Sequence, residues 1–273
     1  KIVFAQGENP SLISSSDSRE FLRLGKGKET YVVSENGNSY ELTGYDSFSA
    51  LDDFLITFKN KKRGVYYDDQ LAIAAKYDAV GLQGEELTIL LDGKFGLYSK
   101  EQKLQIEPGY DKRLIRYNDR LLIGVRNDEL IFLDDDGNKV STLEAVTSIE
   151  YWQDSTALVR GPIGWQFFNI YEKSFSELSI KSFSIIKDDE NEKLITALGE
   201  EGYGVISNKR GEIIPLSFND VVQIGPKQEP VFFTEKHISE AEFYVVIYYN
   251  DDGEVLRKQA FDSVDYDLIY CDN

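Results

Sequence analysis

The side chains that could carry chemistry are few in kind. His237 is the only imidazole and Cys271 the only thiol. A hydrolytic triad would have to pass its proton through His237. The flanking Thr234-Glu235-Lys236-His237-Ile238-Ser239 holds no nucleophile motif, so the residue reads as a solvated histidine in a turn. Cys271 has no partner for an intrachain disulfide. Zinc, which takes several His or Cys ligands, lacks a donor set, and neither metal nor cofactor is expected. Leu133-Asp134-Asp135-Asp136-Gly137-Asn138 and Asn250-Asp251-Asp252-Gly253-Glu254 resemble parts of a calcium loop. Neither supplies the alternating oxygens and closing bidentate Glu of a full loop, whereas Asp-Gly is a favoured hairpin pair. Gly25-Lys26-Gly27-Lys28 lacks the spacing of a phosphate loop and is read as a turn. In Glu150-Tyr151-Trp152-Gln153-Asp154, Tyr151 and Trp152 are the best candidates for aromatics offered to a partner or a sugar. They fall in an expected connection between repeats, and core packing or loop cover is the competing reading.

Composition narrows the partner. The 273 residues include 48 acidic and 30 basic side chains, a net charge of −18. Such a surface repels phosphate, which argues against nucleic acid and anionic lipid. The longest purely apolar run of note, Tyr244 to Tyr249, is the length of a strand and far short of a membrane span. With 41% hydrophobic residues the chain can build a core. Met is absent, and Lys1-Ile2-Val3-Phe4-Ala5 reads either as the tail of a secretory signal or as a first strand over Ile2 to Ala5. The expected location is the bacterial periplasm or cell surface, and the expected state is a monomer.

These residues must be held by something, and the chain repeats itself. Leu87-Thr88-Ile89-Leu90-Leu91, Asp92-Gly93-Lys94, Phe95-Gly96-Leu97-Tyr98, Leu104-Gln105-Ile106-Glu107-Pro108 and Tyr110-Asp111 set out one copy. The order is apolar strand, turn, Gly-apolar strand, polar turn, strand, aromatic-Asp. It recurs from Phe54 to Asp78 and from Leu194 to Asn219, with degenerate copies between. Aromatic-polar marks stand at 45, 77, 110, 183, 218 and 261, and one is lost near Val146. Seven copies of about 39 residues follow, rich in strands and punctuated by Asn36-Gly37, Asp136-Gly137, Arg210-Gly211 and Asp252-Gly253. Four strands per copy at this period predict an all-β, seven-bladed β-propeller of four-stranded antiparallel blades, one domain over residues 1–273. An open β-solenoid is the alternative. Leu268-Ile269-Tyr270 reads as a further strand that would close the ring onto the N-terminus.

Gly93-Lys94-Phe95-Gly96-Leu97 with Ile106 to Asp111 resembles the WG-repeat family of bacterial β-repeats. Gly202-Tyr203-Gly204-Val205-Ile206 with Ile213-Ile214-Pro215 to Asn219 is similar. Arg63, Phe95 and Tyr203 stand where that family has Trp. The resemblance implies repeated β structure and a binding or surface role, and it brings no catalytic residues.

If the apolar strand opening each copy is innermost, the turns after it gather at one mouth. Those turns hold Lys26, Lys28, Lys59, Lys61, Lys62, Arg63, Lys94, Arg126, Arg160 and Lys236. The opposite turns hold Asp68, Asp69, Asp134, Asp135, Asp136, Asp188, Asp189, Glu190, Asp251 and Asp252. One acidic face and one near-neutral or mildly positive face are expected, an asymmetry that steers partners. The functional expectation is a non-catalytic module recognising a protein, peptide or carbohydrate, with Tyr151, Trp152, Lys62, Arg63, Arg126 and Arg160 as binding candidates. The alternative is a carboxylate-dependent glycoside hydrolase or lyase working in the central channel.

Overall fold

The computed structural model describes residues 10–13, 20–26, 29–35, 37, 39–68, 70–101 and 104–270. Among them lie seven four-stranded antiparallel sheets, each winding up and down in chain order. The fold is all-β, with the sheets of a seven-bladed β-propeller. Strands pair only within a sheet of four consecutive strands, whereas a solenoid pairs each strand with those of the repeats before and after it. Blades 1 to 7 span residues 11–41, 47–77, 79–110, 115–143, 148–180, 182–218 and 220–262. The chain divides into two compact units, Lys1–Glu144 with blades 1 to 4 and Ala145–Asn273 with blades 5 to 7.

The copies run one strand out of phase with the blades. The apolar run that opens each copy is the second strand of its sheet, as in Phe54–Lys59, Glu86–Leu91 and Lys193–Leu198. It is therefore flanked on both sides and is not an innermost strand. An interior strand sandwiched between neighbouring sheets buries both faces, which is why these runs are continuously apolar. The cores form between successive blades. Phe54, Ile56 and Val65 of blade 2 meet Leu87 and Ile89 of blade 3. Leu97, Ile106 and Tyr110 of blade 3 meet Leu122 and Ile131 of blade 4. In the second unit, Trp152 and Leu158 meet Ile195 and Ile206 across blades 5 and 6.

The glycine inside the third strand has a steric cause. A Cβ on Gly96 would lie 2.3 Å from the Ile106 carbonyl oxygen, and one on Gly204 would lie 2.4 Å from that of Ile214. The fourth strand bulges over this point, shifting register between Phe95 and Leu97 and between Tyr203 and Val205. The bulge then returns the aromatic of the mark to pairing, Tyr110 opposite Phe95 and Phe218 opposite Tyr203.

Three further expectations are corrected. Leu268-Ile269-Tyr270 belongs to a helix, Ser263–Tyr270, and the first sheet is completed by Ser11–Ile13. The Asp262 Oδ1 accepts the Asp265 N–H at 2.8 Å and starts the helix. His237 sits in the strand Val231–Ile238, its ring stacked 4.5 Å from that of Tyr244. Phe183-Ser184 lies inside the first strand of blade 6, so the crossing into that blade is made by Lys181 instead. Ile2 to Ala5, Lys28, Asn36, Asp69 and Cys271 lie outside the described residues.

Candidate functional site

In the first unit the aromatic-Asp mark works as a latch between blades. After leaving the fourth strand, Asp46, Asp78 and Asp111 each donate the backbone N–H to the penultimate carbonyl of the next blade's second strand, Phe58, Leu90 and Val125. Their carboxylates then accept the N–H of the first residue in the turn that follows: Asn60 at 2.7 Å, Asp92 at 2.9 Å and Asn127 at 2.6 Å. Those turns are two-residue reversals with both residues at positive φ, 52° and 64° at Asn60-Lys61 and 53° and 62° at Asn127-Asp128. Asn and Asp tolerate this backbone best among residues with side chains, and the accepted N–H holds it.

Lys62 donates to Asp78 and Lys94 to Asp111. The Lys62 ammonium, with the Asp92 amide second, holds the Asp78 carboxyl below the usual aspartate range. Lys94, then Asn127, does the same for Asp111. Lys62 is therefore neutralised where it stands. Arg63 donates to the Asp78 backbone carbonyl and lies over the Phe58 ring at 5.5 Å. Lys59 lies over Tyr45 and Arg126 over Tyr110, each also at 5.5 Å. These three cations rest on rings, which hold a side chain without cancelling its charge.

Antiparallel winding puts the turn between strands two and three at one edge of each blade and the other two turns at the opposite edge. For blades 2 to 4, the first edge comprises residues 45–46, 59–63, 78, 91–94, 111–113 and 126–129, with eight basic and six acidic side chains. The opposite turns, residues 52–53, 68, 84–86, 100–101, 116–120 and 134–138, hold three basic and ten acidic side chains. The expected charge asymmetry holds across blades 2 to 4 among the described residues. In the second unit, Glu200, Glu201, Glu240 and Glu242 occupy the corresponding edge and cancel it. Arg160, the penultimate residue of Thr156–Gly161, is exposed there, and its carbonyl accepts the Thr147 N–H at 2.9 Å. Lys112 and Arg113, on the crossing into blade 4, are exposed members of the basic edge that the repeat pattern does not mark.

Tyr151 and Trp152 lie in the strand Ser148–Gln153, not in a connection. A bulge between Tyr151 and Gln153 separates their environments. Trp152 is 5% exposed and packs in the core, while Tyr151 is 42% exposed with its hydroxyl 2.8 Å from Asp154 Oδ1, to which it donates. Tyr151 borders a cleft of about 530 Å³ lined also by Asp154, Asp188, Asp189, Glu190, Glu192 and Lys193. Lys193 is buried, and its ammonium donates to the Tyr151 carbonyl at 3.0 Å and to Asp188 at 2.9 Å. Asn208 adds a bond from Nδ2 to the Trp152 carbonyl at 3.0 Å and accepts the Lys193 N–H at 2.9 Å. Lys193 and Asn208 thus tie blade 6 to blade 5. Sequence reasoning missed them, since a lysine opening an apolar run carries no mark of burial.

The three carboxylates Asp134, Asp135 and Asp136 offer oxygens within 4.8 Å of one another. Asp134 Oδ1 accepts the N–H of Asp136 and of Asn138, and Asn250 Oδ1 accepts those of Asp252 and Glu254. Both turns are organised from within by that side chain.

No known protein-family model matches the chain, and no curated protein matches it. Among solved structures, it is similar to Hsv2 of Kluyveromyces lactis at 12% identity, covering 93% of this chain and 100% of that one, with a TM-score of 0.33. It is similar to the AfRom2 CNH domain at 10% identity, covering 93% and 90%, with a TM-score of 0.32. The N-terminal domain of Nup159 matches at 10% identity over 92% and 89%, with a TM-score of 0.27. Likeness at this level carries nothing about what the chain binds. No helix among the described residues is long and apolar enough to cross a membrane.

Proposed function

We propose that the chain is a non-catalytic interaction module that recognises a protein or peptide at the edges of its blades. The observation that carries this reading is the uneven charge of blades 2 to 4, one edge basic and the opposite turns acidic, an arrangement suited to steering a partner; five carboxyls agree with it. Asp78, Glu107, Asp111, Asp189 and Glu192 are all held below their usual range by partners within the fold. Tyr77 leads at Glu107, and the Glu192 amide leads at Asp189. Burial pushes Glu192 up, but Arg210 and Ser207 outweigh it. A glycosidase acid needs the opposite, a carboxyl raised so that it still holds its proton near neutrality. Two of the clefts are also lined mainly by charged side chains, unlike the apolar pockets that enclose small ligands. Membership of the WG-repeat family, with its binding or surface role, is part of the same proposal.

The test pairs two measurements on the full chain: selection of ligands from a displayed peptide library, and reducing-end release from a polysaccharide panel. Selected peptides with saturable binding and no release are expected. Turnover of a polysaccharide that disappears on replacing one cleft carboxylate would favour the hydrolase or lyase instead.

A further inference from the structure

We infer that the basic edge of blades 2 to 4 is a docking surface for a short acidic peptide segment; this rests on reading the chain as an interaction module. The argument begins with what each cation is bonded to. Among the described residues, Lys59, Lys61, Lys112, Arg113 and Arg126 are exposed and make no ion pair with a carboxylate. Lys59 and Arg126 close the second strands of blades 2 and 4, and each lies over the aromatic of the preceding mark. The same device therefore recurs at the same position in two blades. It aims a cation from a ring while leaving its charge available to an incoming anion.

Three of the six acids of this edge are engaged within the fold. Asp46, Asp78 and Asp111 accept turn amides, and the latter two also take Lys62 and Lys94. The latches thus engage three carboxylates beside the cations and leave Asp92, Asp128 and Glu129 as the other acids of the edge. They also fix the turns, so the cations are presented from ordered backbone and lose less freedom on binding.

Charge decides the class of partner. The net charge of −18 repels a long polyanion. Fields from exposed charges fade over roughly 8–10 Å at physiological salt, so a short acidic segment lying on this edge meets mainly the local cations. A protein segment bearing Asp and Glu has that length and charge. Nucleic acid carries its charge well beyond the edge, onto a molecule whose net charge of −18 repels it.

The experiment is fluorescence anisotropy on the full chain with a labelled Glu/Ser peptide, its Gln/Ser counterpart and an oligothymidylate of equal charge. Saturable binding of the Glu/Ser peptide alone is expected, weakening as salt is raised. Lys59→Gln/Lys61→Asn/Arg126→Gln should raise its Kd roughly tenfold. Lys112→Gln/Arg113→Gln, remote from the turns, should weaken it in the same direction even if the first variant folds poorly. Asp135→Asn/Asp136→Asn, on the opposite edge, should leave it unchanged. Equal binding of the Gln/Ser peptide, indifference to both cation variants, or tighter binding of the oligonucleotide would overturn the inference. If library selection returns non-acidic ligands, the docking inference fails while the interaction module stands. If no peptide binds and a polysaccharide is turned over, both fail.

Discussion

Asp78 and Asp111 make the blade latch a titratable joint. Each carboxyl lies lower in the folded chain than unfolded, because Lys62 or Lys94 and a turn amide favour its charged form. Their contribution is therefore complete above the ordinary aspartate range and is lost as pH falls through the lowered folded values. Stability measured by urea denaturation should drop below about pH 4. In Asp78→Asn/Asp111→Asn it should be lower at neutral pH and drop less in acid. An unchanged acid loss would mean that other carboxylates govern it. A second test at this scale is Gly96→Ala, whose Cβ would meet the Ile106 oxygen at 2.3 Å. It should cost about 1–3 kcal/mol in the same assay. Both residues stand out in the sequence because the repeat returns to them. Their partners do not, because a carboxylate and the turn it caps belong to different copies. The basic candidates split for the same reason. Lys62 and Arg126 look alike as turn cations, yet one is neutralised by Asp78 and the other rests on Tyr110.

Among elements, the strands were legible and the last helix was not. An interior strand covered on both sides must be apolar at nearly every position, and Leu87 to Leu91 shows that directly. Leu268-Ile269-Tyr270 is equally apolar, but three residues do not distinguish strand from helix. The choice is made by Asp262 capping the turn and by Tyr266, 5% exposed, stacked 4.0 Å from Tyr244. The Tyr266 hydroxyl also bonds Glu235. Tyr266→Ala should undock Ser263–Tyr270 and speed amide hydrogen exchange in Phe243–Tyr249, leaving the strands of blade 3 as protected as before. Equal protection in blade 7 would show that the helix contributes nothing to its sheet. Trp152 was misplaced for a related reason: a bulge puts two exposed residues, Glu150 and Tyr151, before it, so the run lacks a strand's period of two.

For the molecule as a whole, net charge competes with the pairs that decorate the edges. A net charge of −18 creates self-repulsion across the fold, and salt relieves it. Salt also weakens exposed pairs such as Lys76–Glu107, whose side chains are more than half exposed. Each such pair is worth at most about 1 kcal/mol, and often nothing measurable. With 48 acids and 30 bases, at least 18 carboxylates have no basic partner in one-to-one pairing, and the repulsive term wins. The Tm of the full chain should therefore rise between dilute buffer and physiological salt, read by scanning calorimetry. Peptide binding at the basic edge should weaken over the same interval, because there the attraction is what salt screens. Opposite responses of stability and binding are the signature of a local positive edge on an acidic molecule; a uniformly acidic surface would show the first response without the second.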